Sequence, residues 1–167
     1  MDDLTLTAEY VRSVLIYDVD TGEFTNRVTR APRSRAGDKS GGVHTHGYIK
    51  IRLKGRKRYA HRLAWLYVHG TWPTGYIDHI DGNTSNNRMS NLRVVTHAQN
   101  NINRRLRNDN TSGCKGVTWD SQHKKWRVQV RREGARKYQA LFLRLEDART
   151  ASEAAIKEQH GEFARIK

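Results

Sequence analysis

Tyr76-Ile-Asp-His-Ile-Asp-Gly-Asn-Thr-Ser-Asn-Asn-Arg-Met-Ser-Asn-Leu-Arg-Val-Val-Thr-His-Ala-Gln-Asn100 is the stretch whose reading decides the fold. Its polar middle, with Gly82 and several Asn, buries no core and reads as a loop. The flanks are regular. Leu92 to Thr96 is a short β-branched run, and Thr96 followed three residues later by Gln99 has the capping-box spacing that opens a helix. Asn100 then falls in the first turns of that helix. A strand, a loop, a second strand and a helix can bring Asp78 and Asn100 together as hard oxygen ligands, which suit Mg²⁺ or Mn²⁺ and leave positions for water and phosphate oxygens. His79, next to Asp78, is placed to serve as general base on an attacking water. A neutral imidazole near pH 7 suits that role once its other ring nitrogen has an acceptor to fix the tautomer. One metal beside one base is the equipment of phosphodiester hydrolysis.

Asn, Asp and Gly dominate surface turns for local reasons, and Asp78-His79 alone would be read as such a turn. With Asn91 and Asn100 added at this spacing, the segment resembles the HNH endonucleases, specifically the phage and intron-borne group with Asp-His at the first position and Asn at the other two. The resemblance extends upstream through Tyr48 to Leu53, Arg58-Tyr-Ala-His-Arg-Leu-Ala-Trp65 and Gly70-Thr-Trp-Pro73. It implies that Asp78 and Asn100 hold a single divalent metal, that His79 is the general base, and that Asn91 braces the loop around it. It also implies a ββα-metal motif over about 76–106, and products with 5′-phosphate and 3′-hydroxyl ends.

The charge points to the same substrate. Lys and Arg number 31 against 17 Asp and Glu, a net charge of +14, which is hard to explain without a polyanionic partner. From Arg27 to Arg62 the basic residues face Asp38 alone, so Arg33, Arg35, Lys54 and Arg56 are expected at DNA phosphates, with Arg93 beside the site. The other histidines, His44, His46, His61, His69 and His97, read as packing or hydrogen-bonding residues. A single cysteine, Cys114, excludes an intrachain disulfide and a Cys-rich structural zinc, and its expected role is packing. No apolar run approaches the ~20 residues of a membrane span, and Met-Asp-Asp-Leu-Thr lacks the features of a signal peptide. A cytoplasmic protein is expected, in a bacterial host if phage-encoded, with no membrane partner. Without heptads or a long apolar patch, a monomer is favoured.

The fold class expected is α+β, in two modules. Leu4 to Tyr17 has helical spacing with Thr7 as N-cap, Asp18 to Gly22 reads as a turn, and a short strand follows around Glu23 to Val28. Ile49 to Lys54 alternates apolar and basic residues as a strand, Gly55 suits a hairpin turn before Arg58 to His61, and Ala60 to His69 is helical. The nuclease module is expected over 1–106, a polar linker over 107–113 and a second module over 114–167. The second module has strand-like runs at Lys115 to Asp120, Lys125 to Arg132 and Arg136 to Phe142. A helix follows from Glu146 to Gln159, closed by Gly161 and packed through Ala148, Ala151 and Ala155. Trp126, Val128 and Val130 alternate with Arg127, Gln129 and Arg131, so one face suits a core and the other the DNA major groove, where Arg reads guanine and Gln adenine.

Lys115-Gly-Val117, Lys125 to Arg131, Arg136-Lys-Tyr138, Phe142 and Glu146-Asp-Ala148 resemble the APETALA/ethylene-response-factor DNA-binding domain, a three-stranded antiparallel sheet on one helix. The resemblance implies DNA contacts from Lys115, Gln129, Arg131, Arg136 and Tyr138, and alternation adds Arg127. The function expected is therefore a metal-dependent endonuclease acting on double-stranded DNA, of the phage free-standing or homing type, cutting one strand or both. The competing classes are a non-catalytic, sequence-specific DNA-binding regulator and an RNA-binding protein.

Affinity for duplex DNA should fall steeply with salt, by about −0.9 in log K per log salt for each phosphate neutralised. Replacing Arg33, Arg35, Lys54 and Arg56 with Ala should flatten that slope in a fluorescence-anisotropy titration, whereas a salt-independent affinity would assign the charge to some other purpose.

Overall fold

The structure, a computed structural model, describes residues 6–102, 106, 109–131 and 138–160. It is a mixed helix and sheet protein that divides into two compact units, Met1–Thr96 and His97–Lys167. The linker expected at 107–113 thus falls inside the second unit, and the division follows Thr96.

The first unit opens with helix α1 (Ala8–Val14), capped by the Thr7 hydroxyl accepting from the Tyr10 amide. The helix is shorter than the spacing of Leu4 to Tyr17 suggests. Leu15–Tyr17 forms strand β1, paired antiparallel with β2 (Phe24–Asn26). Pairing with β2 seats Leu15 and Tyr17 in the core and turns Ile16 outward, a two-residue period that a continued helix would have broken. Strands β3 (Gly42–Val43), β4 (Ile49–Leu53) and β5 (Arg56–Tyr59) make a second small sheet. Its β4–β5 hairpin turns on Lys54 and Gly55, both at positive φ, as a two-residue hairpin of this twist requires. Helix α2 (Ala60–His69) ends at Gly70 in the left-handed region. Strands β6 (Tyr76–His79) and β7 (Leu92–Val95) then pair antiparallel, with Asp78 opposite Arg93 and His79 opposite Leu92.

These three small sheets share one core, in which Val11, Leu15, Phe24, Ile51, Leu63 and Leu66 are almost fully buried and Ile77 and Leu92 carry it to the β6–β7 pair. Tyr17 and Phe24 pack at 4.7 Å between ring centroids. Several arginines brace the unit by donating to main-chain carbonyls: Arg12 to Tyr67, Arg27 to Arg12, Arg30 to Arg52, Arg52 to Gly55 and Arg62 to Gly75.

The second unit begins with α3 (His97–Ile102), immediately after β7. Strands β8 (Val117–Asp120), β9 (Lys125–Val130) and β10 (Tyr138–Phe142) form an antiparallel sheet in the order β10-β9-β8, and α4 (Leu145–His160) packs against it. Val117, Val128, Val130, Cys114, Ala148, Ala155 and Ile156 make its core. The cysteine is a buried packing residue. Arg149 donates to the Ser112 carbonyl and Ser152 to that of Lys115, fastening the helix to the segment before β8. Arg132, Arg136 and Gly161, singled out in the sequence, lie outside the described residues.

His61, at the start of α2, is buried and neutral: burial first, then the neighbouring His79, push it down to about 3. An unfolded chain binds a proton there near 6.5 and the folded one does not, so the stability tied to this group is present above pH 6.5 and is lost as pH falls. Acidification from pH 6.5 to 5 should therefore destabilise the first unit by up to about 1.4 kcal/mol per pH unit for this group. His61→Phe should make that fall in melting temperature shallower in a calorimetric pH series, and an identical slope would refute the assignment.

Candidate active site

The loop from Ile80 to Asn91 is built on its own hydrogen bonds. Asn91 is buried, and its amide spans the loop mouth: Oδ1 accepts from the Asp81 amide at 3.0 Å, while Nδ2 donates to Asp81 Oδ1 at 3.0 Å and to the Asn86 carbonyl at 2.8 Å. Asp81 also accepts from the Asn83 amide and from Asn86 Nδ2, and these bonds hold its carboxyl below the ordinary range despite the opposing effect of burial. The Ile80 amide donates to the Asn91 carbonyl and continues the ladder beyond β6. An Asx-rich segment without an apolar core is thereby given one conformation.

Asp78 and His79 are consecutive in β6, so they leave the strand on opposite sides. Both are buried. Asp78 Oδ2 receives the Arg93 guanidinium from the facing strand, at 3.0 Å from Nε and 2.9 Å from Nη2. The directly opposed register explains the pair. Arg93, expected at DNA, is paired with Asp78 in this arrangement.

His79 enters a cluster of rings. His61 meets it edge-on at 5.2 Å and Tyr48 lies 6.0 Å away, while Tyr59 stacks on His61 at 5.3 Å. Its Nε2 is 3.1 Å from Asn87 Oδ1. Burial lowers the affinity of this imidazole for a proton, and the Asn87 bond and the carboxylates of Asp81 and Asp78 offset part of that. The result is a histidine that stays neutral, as a proton acceptor must be before it works. Asn87 is 1% exposed, and along the sequence it looks like one more turn asparagine. The signal was present as a requirement: a histidine base needs an acceptor for its second nitrogen, and the loop held several candidates.

Asn100 lies on α3 and is half-buried. Among the described residues no group of three or more His, Cys, Asp and Glu side chains is placed to hold a metal.

The proposed DNA contacts divide by exposure. Arg33, Arg35, Lys54, Arg56 and Arg131 are exposed, and Lys115 is half-buried. Lys54 sits over the Tyr10 ring at 4.3 Å. Arg127 is paired with Asp120, a carboxylate held well below its ordinary range chiefly by the His123 amide. Tyr138 does not face outward with Gln129. With Ala140 and Phe142 it is half-buried on the core side, because β10 alternates cleanly and leaves Gln139 and Leu141 exposed. Gln139 stands directly opposite Gln129 in the ladder, so the outer face carries a pair of carboxamides that the sequence alone did not align.

A family model described as HNH endonuclease matches residues 58–102. Protein 3.8 of Escherichia phage T7 is 35% identical over 108 residues, covering 64% of this chain and 88% of that protein. A solved structure titled "DNA binding and cleavage by the HNH homing endonuclease I-HmuI" is 27% identical with a TM-score of 0.36. The match covers 50% of this chain and 47% of the other, so the chain spans about half of that protein's length. No helix among the described residues is long and apolar enough to cross a membrane. The segment that matches the HNH endonuclease family takes in Asp78, His79, Asn91 and Asn100 together.

Proposed function

We propose that this protein is a metal-dependent endonuclease acting on double-stranded DNA, of the free-standing or homing type carried by phages. The observation that carries the reading is the buried, neutral His79, hydrogen-bonded through one ring nitrogen and set beside Asp78 within the segment that matches the HNH family.

In the mechanism, His79 takes a proton from the water that attacks phosphorus in line, and the 3′ oxygen leaves from the opposite side, giving 5′-phosphate and 3′-hydroxyl ends. Asp78 and Asn100 would hold one divalent ion. Their donor set, a single carboxylate and a carboxamide, fits a hard cation such as Mg²⁺ or Mn²⁺ that keeps water and phosphate oxygens among its ligands. When bound, such an ion stabilises charge on the phosphate and the departing oxygen. Asn91 holds the loop and touches no reacting atom. Arg93 holds Asp78 and neutralises a carboxylate that is otherwise buried beside the core.

The second unit is assigned to recognition. It resembles the APETALA/ethylene-response-factor domain, and the outer face of β8–β9–β10 carries Thr118, Gln129, Gln139 and Leu141, side chains suited to a major groove. Carboxamides at 129 and 139 suit adenine, and the exposed Arg131 suits guanine.

Supercoiled plasmid incubated with the protein and Mg²⁺ should be converted to open circles or linear DNA, and chelator should prevent it. Intact plasmid with retained binding would instead support a DNA-binding regulator. Asp78→Ala, His79→Ala and Asn100→Ala should each leave DNA affinity largely intact, with His79→Ala costing roughly 10²- to 10⁴-fold in cleavage. Wild-type cleavage by the His79 variant would remove it from the mechanism. Asn91→Ala should show mainly as instability of about 1 to 3 kcal/mol, because buried loop partners lose their bonds. Arg131→Ala and Gln139→Ala should each relax preference at about one base pair by ~1 to 3 kcal/mol, whereas an even loss on all sequences would mark a phosphate contact.

A further inference from the structure

The hairpin of β1 and β2 lies outside the segment matched by the HNH family, yet its turn is pressed onto the active-site loop. Gly22, at φ +74°, passes so close to that loop that a β-carbon added there would lie 2.3 Å from the Arg88 amide nitrogen and 2.4 Å from the Asn87 carbonyl carbon. Only a glycine permits this approach and this backbone conformation. Two further bonds tie the same place: the Tyr17 hydroxyl donates to the Asn87 carbonyl at 2.6 Å, and the Met89 amide donates to the Val19 carbonyl at 3.2 Å.

Asn87 is therefore held from behind by the hairpin while its amide faces His79. Asn87 Nδ2 points to the Ser85 carbonyl at 3.4 Å, which fixes the amide's sense and leaves Oδ1 toward the imidazole. A carboxamide oxygen only accepts, so the His79 nitrogen facing it, Nε2, must carry the proton. We propose that Asn87, clamped by Tyr17 and Gly22 of the β1–β2 hairpin, is a positioning residue that holds His79 in the Nε2-protonated tautomer and so makes Nδ1 the nitrogen that takes the proton from water. The hairpin is then part of the catalytic apparatus and not simply an appended cover. Tyr17 is suited to a permanent donor role, since burial pushes its hydroxyl up to about 12. Asn87 does for His79 what a buried acceptor does in other histidine-based sites: it removes the wrong tautomer before substrate arrives.

This inference rests on the nuclease reading for its consequence in catalysis, and its first test does not need activity. In ¹⁵N-labelled full-length protein without metal, above pH 7.5, the His79 nitrogens should show protonated Nε2 and unprotonated Nδ1, with the Nε2 proton protected from exchange. Asn87→Leu should give averaged shifts of interconverting tautomers and lower kcat by roughly 10- to 100-fold with little change in KM. Tyr17→Phe keeps Asn87 and loses only its clamp, so the tautomer should persist while the Nε2 proton exchanges several-fold faster. Protonated Nδ1 in the wild type, or wild-type shifts and kcat in a folded Asn87→Leu protein, would overturn the proposal. If Asn87→Leu does not fold, the wild-type shifts and the Tyr17→Phe exchange rate decide. The stated tautomer in a protein that cuts no DNA would sink the nuclease reading while supporting the positioning of His79.

Discussion

A buried imidazole must be uncharged and must have an acceptor, and the first unit is arranged around meeting that demand at His79. The ring is only 4% exposed, with Tyr48 and His61 packed beside it. It cannot be protonated cheaply, because desolvation dominates its proton affinity and outweighs the nearby carboxylates of Asp81 and Asp78. Its Nε2 faces a neutral acceptor, Asn87, whose own position is not local: it depends on Tyr17 and Gly22, far away in the chain. Helix α1 and the first hairpin are thus tied energetically to a loop they precede by some sixty residues, and the common core of Leu15, Phe24, Ile51 and Leu63 is what makes that distance short.

Much of this was legible in the residues. Helix α2, the β4–β5 hairpin on Lys54-Gly55, the Thr7 cap and the start of α3 after Thr96 follow from spacing, turn chemistry and capping, all of which act over a few residues. The elements that local spacing does not predict depend on partners distant in sequence. Leu15–Tyr17 has helical spacing with the residues before it and becomes a strand only because Phe24–Asn26 is there to pair with. Tyr138 is expected near DNA by likeness to a DNA-binding sheet, and the register with β9 sets it on the core side.

The same distinction runs through the site. Asp78, His79, Asn91 and Asn100 stand out because their types and spacing are visible along one line of sequence. Asn87 and Arg93 do not, because what defines them is a partner: an imidazole for one and a carboxylate across a two-stranded ladder for the other. An arginine beside an active site invites a phosphate, and only the ladder register reveals that its first obligation is to Asp78. Residues that act on substrate announce themselves by chemistry, and residues that hold them are found by geometry.

The arginines that cap main-chain carbonyls change how the charge of this protein should be counted. Arg12, Arg27, Arg30, Arg52, Arg62 and Arg149 each spend donors on the backbone. Their positive charge still contributes to the long-range field that draws a polyanion inward. Their guanidinium planes, however, are already oriented, and a phosphate can use only the N–H donors that the carbonyls leave. The formal +14 therefore measures the long-range pull on a polyanion, and is a poor guide to how many counterions a bound polyanion would release. In this chain the reach of the electrostatic field and the size of the electrostatic footprint are set by different sets of residues.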